Sequence, residues 1–292
     1  MSDFFLSTTF RPDGSKASEV INDCLEAGIC NLELGSNHCH EEDLLEKIPL
    51  KEGTFLVHNY FPAPKDPFVL NLSSHDESLR QKSEEQAFRA LEFCDAAGAQ
   101  LYTFHAGFMT DPGGPGRNDR NYDFKWGNEK TSNPNAYRET FELMLRGVGK
   151  VSKRANQLGV RIAIETEGTF RHPGHLLMQR PEEFVAFFEE FGPDEVGINL
   201  NIGHLPLAAR SFEFRVEDFV DLVASRVLAM EMSHNDRIDD QHLPLREEEW
   251  YWAVILDERF DKVKKILEFR ETSLDQVIAN LELCRRKQAS KN

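Results

Sequence analysis

The chain has no CxxC pair. Its five cysteines (Cys24, Cys30, Cys39, Cys94, Cys284) are odd in number and scattered, which excludes a disulfide framework and a zinc knuckle and reads as reduced thiols in a cytoplasmic protein. Basic residues are also in short supply. Lys and Arg number 34 against 50 Asp and Glu, a net charge of −16 that repels phosphate backbones and anionic lipid, so neither nucleic acid nor membrane is expected as a partner. No uncharged apolar run approaches the roughly 20 residues of a membrane helix. The opening MSDFFLSTTF lacks a basic head followed by an apolar stretch, so no signal peptide is expected.

What is present is enough apolar sequence, 40% of 292 residues, for one large core. Short apolar runs alternate with longer amphipathic ones, the pattern of a parallel sheet with crossover helices. Strands are predicted at 4–10, 30–34, 55–57, 100–104, 160–164, 196–200, 227–230 and 263–267. Helices are predicted at 17–27, 41–48, 78–97 (capped by Ser78), 135–158, 181–191, 216–224 and 273–286. Eight strand–helix units without an obvious linker predict an α/β fold, a single (β/α)8 TIM barrel spanning residues 1–292. Residues 106–134, rich in Gly, Pro, Asn and Asp, break the rhythm and predict a long loop with little regular structure over the active face. Its Arg117, Arg120 and Trp126 either touch a polar substrate or are solvated.

Chemistry collects where the predicted strands end. The third gives His58, the fourth His105, the fifth Glu165, the sixth Asn201 with His204. The seventh gives Glu231, with His234, Asp236, Asp239, Asp240 and His242 close behind, and the eighth gives Glu268. A single His or Glu at such a position is usually structural, but this many in succession call for a shared polar centre. Convergent carboxylates repel one another unless shared protons or a cation compensate. Mixed carboxylate and imidazole donors suit a divalent ion: Mn, Mg, Co or Zn.

At this level of detail the sequence resembles the xylose-isomerase-like TIM barrels, which include sugar isomerases and epimerases and the apurinic endonuclease IV group. The resemblance runs from Leu32-Glu33-Leu34-Gly35 to Ile266-Leu267-Glu268. IAIETEG (162–168) is similar to the segment carrying a bridging glutamate, here Glu165; NIGH (201–204) to an Asp-x-x-His; Asp240-Gln241-His242 to an Asp-x-His; and ILEFR to the segment carrying the last glutamate, Glu268. His58 and His105 match two histidines that the endonuclease branch uses for additional zincs. Two positions depart from the pattern: Asn201 replaces an aspartate, and either Glu231 or His234 takes a position usually held by histidine. Residues 231 and 234 differ by an odd step, so a strand cannot turn both inward.

The resemblance implies a metal held by Glu165, Asn201 (through its carbonyl), Glu231 and Glu268, with His58, His105, Asp240 and His242 available for further ions. It implies a metal-dependent isomerase or epimerase acting on a sugar, polyol or related hydroxy-carbonyl compound through an enediolate. Glu165 and Glu268 would move the proton, His204 and Arg237 would hold substrate oxygens, and Glu33 and His105 would contribute further contacts. Relatives commonly form homodimers or homotetramers. A zinc-dependent phosphodiester hydrolase of the endonuclease IV type and a non-catalytic, metal-poor barrel are the competing readings.

Overall fold

The computed structural model describes residues 4–111, 115–118, 121–124, 134–171 and 173–291, with the side chains of 112–135 outside it. The chain lays down β1 (Phe4–Ser7), α1 (Ala17–Glu26), β2 (Asn31–Leu34), α2 (Leu44–Lys47), β3 (Thr54–His58), α3 (Glu77–Ala97) and β4 (Leu101–Phe104). A hairpin of β5 (Pro115–Asn118) and β6 (Asn121–Phe124) follows, then α4 (Pro134–Leu158), β7 (Arg161–Glu165), α5 (Pro181–Glu190) and β8 (Gly197–Asn201). The remainder is α6 (Leu205–Phe212), α7 (Val216–Val223), β9 (Val227–Met232), α8 (Trp252–Ile255), β10 (Lys264–Leu267) and α9 (Leu274–Lys291). Eight parallel strands close a barrel in the order β1-β10-β9-β8-β7-β4-β3-β2. No helix among the described residues is long and apolar enough to cross a membrane.

Strand alternation assigns each residue to one of two faces. Leu32, Leu34, Val57, Tyr102, Phe104, Ile162, Ile164, Ile198, Leu200, Met230, Met232 and Leu267 belong to the large core shared with the surrounding helices. The intervening residues point into the barrel. Phe5, Leu56, Leu101, Ala163, Ala229 and Ile266 form a separate apolar cluster that fills its lower interior. Two residues further along the strands, the inward positions become Ser7, His58, Thr103, Glu165, Asn199, Glu231 and Glu268, all buried. The barrel is therefore an apolar plug beneath a polar mouth.

Several boundaries differ from the sequence reading. The first strand ends at Ser7, and Thr8–Phe10 turns into a 3-10 helix. The cap of α3 is Asp76, whose carboxylate accepts from the N–H groups of Ser78 and Leu79, while Gly98 in the left-handed region ends the helix. Helix α6 lies where no helix is predicted; it is one short segment, with Pro206 in its first turn. The expectation of little regular structure over 106–134 is corrected by the antiparallel hairpin, in which Gly116 pairs with Asp123. The expected contacts of Arg117, Arg120 and Trp126 lie outside the described side chains.

Because the apolar plug has no alternative packing partner, Phe5→Ala should cost about 3–5 kcal/mol in chemical denaturation. A loss below about 1 kcal/mol would contradict this packing.

Candidate metal centre and active site

The polar mouth is built in two depths. Glu33 and Glu231 lie at the bottom, both fully buried. Glu231 Oε1 accepts from Asn199 Nδ2 at 2.7 Å and its Oε2 from Asn201 Nδ2 at 3.0 Å. Burial, followed by the nearby carboxylates, raises the pKa of both acids: Glu268 and Glu165 act on Glu33, and Glu165, Glu268 and Glu33 on Glu231. Neither acid lines the open cavity.

Asn201 has its orientation set by chemistry. Its Oδ1 accepts from the N–H groups of Gly203 (2.9 Å) and His204 (3.1 Å), a task the amide nitrogen cannot perform. Its Nδ2 therefore faces the acids and donates to Glu165 Oε1 at 2.8 Å as well as to Glu231. The expectation is an ion bound through the Asn201 carbonyl; here that oxygen faces the turn that opens α6 and the amide nitrogen faces the acids.

The upper layer holds four imidazoles, and three have Nδ1 tied to an oxygen. His58 Nδ1 lies 2.9 Å from Thr103 Oγ1, His204 Nδ1 3.0 Å from the Thr166 carbonyl, and His105 Nδ1 2.5 Å from Glu167 Oε1. Each arrangement leaves Nε2 available, as an oxygen-anchored metal-binding histidine requires. His58 Nε2 lies 3.7 Å from Glu165 Oε2, and His204 Nε2 3.4 Å from Asp240 Oδ2. His242 bridges Asp240 (Nε2 to Oδ2, 2.9 Å) and Glu268 (Nδ1 to Oε2, 3.0 Å).

Two groups result, each of two histidines and one carboxylate: His58, His105 and Glu165, and His204, Asp240 and His242. Within each group the ligating atoms lie within 4.8 Å of one another. Glu33, His58 and Glu231 form a third such group deeper in the barrel. Glu165 Oε2, Asp240 Oδ1 and Glu268 Oε2 are buried and accept no well-aligned hydrogen bond, though Glu268 Oε2 faces His242 Nδ1 at 3.0 Å and Glu165 Oε2 faces the His58 and His105 rings at 3.7 and 3.5 Å. Buried carboxylate oxygens in this state beside imidazoles are the donor set a divalent cation satisfies, so the residues present fit a metal.

The electrostatics show what stands in for a cation. Burial opposes charge on every group here, yet His105 is raised to about 9 by Glu165 and Glu167, and His204 is raised by Asp240 and Glu165. Burial likewise raises Glu165 and Asp240, but the imidazoles outweigh it: His105, His204 and His58 lower Glu165, and His242 and His204 lower Asp240. His58 is held down to about 4 by burial.

Other predicted residues are placed less centrally. Arg237 does not reach the cavity. It is exposed, with φ 66°, in the loop that turns back when His234 and Leu243 pair, and it lines a separate pocket with His234 and Glu249. A substrate contact is expected from Arg237, but among the described residues the arginines that line the cavity are Arg171 and Arg270. Glu33, expected as a further contact, is buried and does not line the cavity. Glu231 points inward, whereas His234 lies 3.7 Å from Glu249 with its ring against Tyr251.

Sequence reasoning missed Glu167 and Arg270. Both were legible as the second acid of Glu-Thr-Glu and as the arginine two residues past Glu268. It also missed Gly168, where a Cβ would collide with the His204 carbonyl.

The family model for the xylose isomerase-like TIM barrel matches residues 43–287. Among solved structures, a D-tagatose 3-epimerase-like protein superposes with TM-score 0.74 at 17% identity, covering 100% of this chain and 98% of that one. A Thermus thermophilus protein whose crystal was soaked in zinc chloride superposes with TM-score 0.64 at 18% identity, covering 97% of each chain. A probable endonuclease 4 of Aquifex aeolicus is 46% identical over 41 residues, a match that spans 14% of this chain and 14% of that protein.

Two outcomes test the geometry. His105 is raised in the folded state, so the stability it contributes to metal-free protein is fully present below about pH 6.5 and lost as pH rises through about 9. A metal needs the neutral ring, so calorimetry should show zinc binding tighter at about pH 8 than at about pH 6.5, with proton release; pH-independent binding would contradict this. Gly168→Ala should cost about 1–3 kcal/mol in denaturation, because the His204 backbone must move; an unchanged midpoint would contradict the contact.

Proposed function

The chain belongs to the xylose isomerase-like TIM barrel family, and on that premise we propose that it is a metal-dependent isomerase or epimerase of a sugar or related hydroxy-carbonyl compound. The observation that carries the reading is a pair of carboxylates, Glu165 at the end of β7 and Glu268 directly after β10. They are separated by two strands of the barrel, and each has a buried oxygen that accepts no well-aligned hydrogen bond and faces an imidazole beside one cavity. Interconverting a hydroxy-carbonyl compound requires a proton to leave the carbon next to the carbonyl and to return to the same or the neighbouring carbon. Two carboxylates facing one cavity from different strands can divide that work.

His58, His105 and Glu165, or His204, Asp240 and His242, would hold the divalent ion, which supplies a Lewis acid for the carbonyl oxygen. The other residues bind and orient. Glu167 fixes the ring of His105, Thr103 that of His58, and the Thr166 carbonyl that of His204. Arg270, 3.8 Å from Asp240, brings positive charge to the wall where substrate oxygens would lie.

A second reading, hydrolysis of a phosphodiester, is favoured by one specific observation: two His–His–carboxylate groups border the same cavity, enough for more than one ion. Solvent exchange separates the two. With manganese or zinc, the protein incubated with a sugar panel in deuterium oxide should place deuterium next to the carbonyl. Glu268→Gln should slow that exchange about 10²- to 10⁴-fold. Rapid cleavage of bis(p-nitrophenyl) phosphate with no exchange into any sugar would replace the first reading by the second.

A further inference from the structure

A second concavity adjoins the candidate active site and differs from it in character. Ser36, Asn59, His105 and Phe108 line both. Beyond them one wall is apolar, formed by Tyr60, Pro64, Phe68, Val69 and Leu70, and the rest of the lining carries polar groups, among them Asn37, His38 and His40. The wall is rigid. The Phe68 N–H donates to Tyr60 Oη at 2.5 Å, and the two rings meet edge to face with centroids 5.4 Å apart. Gln86 Nε2 donates to the Tyr60 and Pro62 carbonyls, pinning the preceding turn from α3.

A free sugar carries hydroxyls on every side and gains little from such a wall, whereas an apolar group gains in proportion to the area it buries. The annex and the cavity share His105, which belongs to the candidate metal centre, so an occupant reaching both would be one molecule with two ends.

We propose that the annex is a substrate subsite, and that the substrate is a sugar-like hydroxy-carbonyl compound bearing an aromatic or branched apolar substituent, of the glycoside type. The hydroxylated end lies among Glu165, Glu268 and the histidines, with its carbonyl at a ring position other than the linked carbon. The apolar end lies against Tyr60, Phe68 and Leu70. This inference rests on the sugar reading above and narrows it.

Calorimetric titration of the full-length, zinc-supplemented protein with methyl and phenyl keto-glycosides of the same hexoses, oxidised to a ketone at one ring carbon other than the linked one, tests it. The phenyl member of at least one pair should bind about tenfold more tightly or better, a difference of about 1.4 kcal/mol. Ala63, half-buried in the annex wall and remote from the proton-moving carboxylates, can be enlarged to fill the space. Ala63→Trp should abolish the phenyl advantage and leave the methyl glycoside affinity unchanged; Val69→Ser, a milder change to the same wall, should reduce it. Equal affinity within every pair that binds, or a phenyl advantage that survives in folded Ala63→Trp, overturns the subsite and leaves the sugar reading standing. Binding of neither member of any pair also overturns the subsite, while deuterium exchange into free sugars decides the sugar reading separately.

Discussion

Six carboxyl groups (Glu33, Glu165, Glu167, Glu231, Asp240 and Glu268) crowd the mouth of one barrel, and five of them are buried. An uncompensated charge in such a place costs several kcal/mol, so the chain can fold only if each acid is protonated, paired or bound to a cation. The mouth uses these solutions by depth. At the bottom, Glu33 and Glu231 are pushed toward the neutral form, with Asn199 and Asn201 donating to Glu231. Higher up, Glu165 and Asp240 stay ionised against His105, His204 and His242. Asn201 joins the two depths: an aspartate there would add charge between Glu165 and Glu231, whereas the amide donates to both.

In the proposed holoenzyme a divalent ion would take over the charge compensation that protons on the imidazoles supply without it. The raised pKa values of His105 and His204 favour protonated rings that a metal would have to deprotonate, and the carboxylate oxygens that accept no well-aligned hydrogen bond, Glu165 Oε2, Asp240 Oδ1 and Glu268 Oε2, are those it would meet. The rigid parts of the fold aim these groups. Register pairs Asn201 with Glu231 and Glu165 with Asn199, so donors and acids face each other across neighbouring strands before any loop is considered.

The barrel itself was legible because parallel strands buried on both faces read as short apolar runs at regular intervals. The residues of the mouth were legible because each follows such a run directly. Depth was not. One strand step separates Glu33 beneath the cavity from positions lining it, and period-2 alternation gives the same face to both. The orientation of Asn201 depends on two backbone N–H groups in the following turn, which no spacing rule reveals. Arg237 was misplaced because its loop folds back through the pairing of His234 with Leu243, a contact made by tertiary structure. Helix α6 was hidden by its brevity, and the cap of α3 fell two residues early because Asp76 and Ser78 are equally good caps by type.

The central claim is that the mouth of this barrel holds a divalent cation among side chains brought from different strands. Anomalous diffraction from crystals soaked in zinc or manganese measures this directly. The account predicts a peak within coordination distance of Glu165 or Asp240, with imidazole nitrogens of His58 and His105, or of His204 and His242, completing the shell. A fully soaked crystal with no anomalous peak in the mouth, its histidines still hydrogen-bonded to the carboxylates, would contradict it.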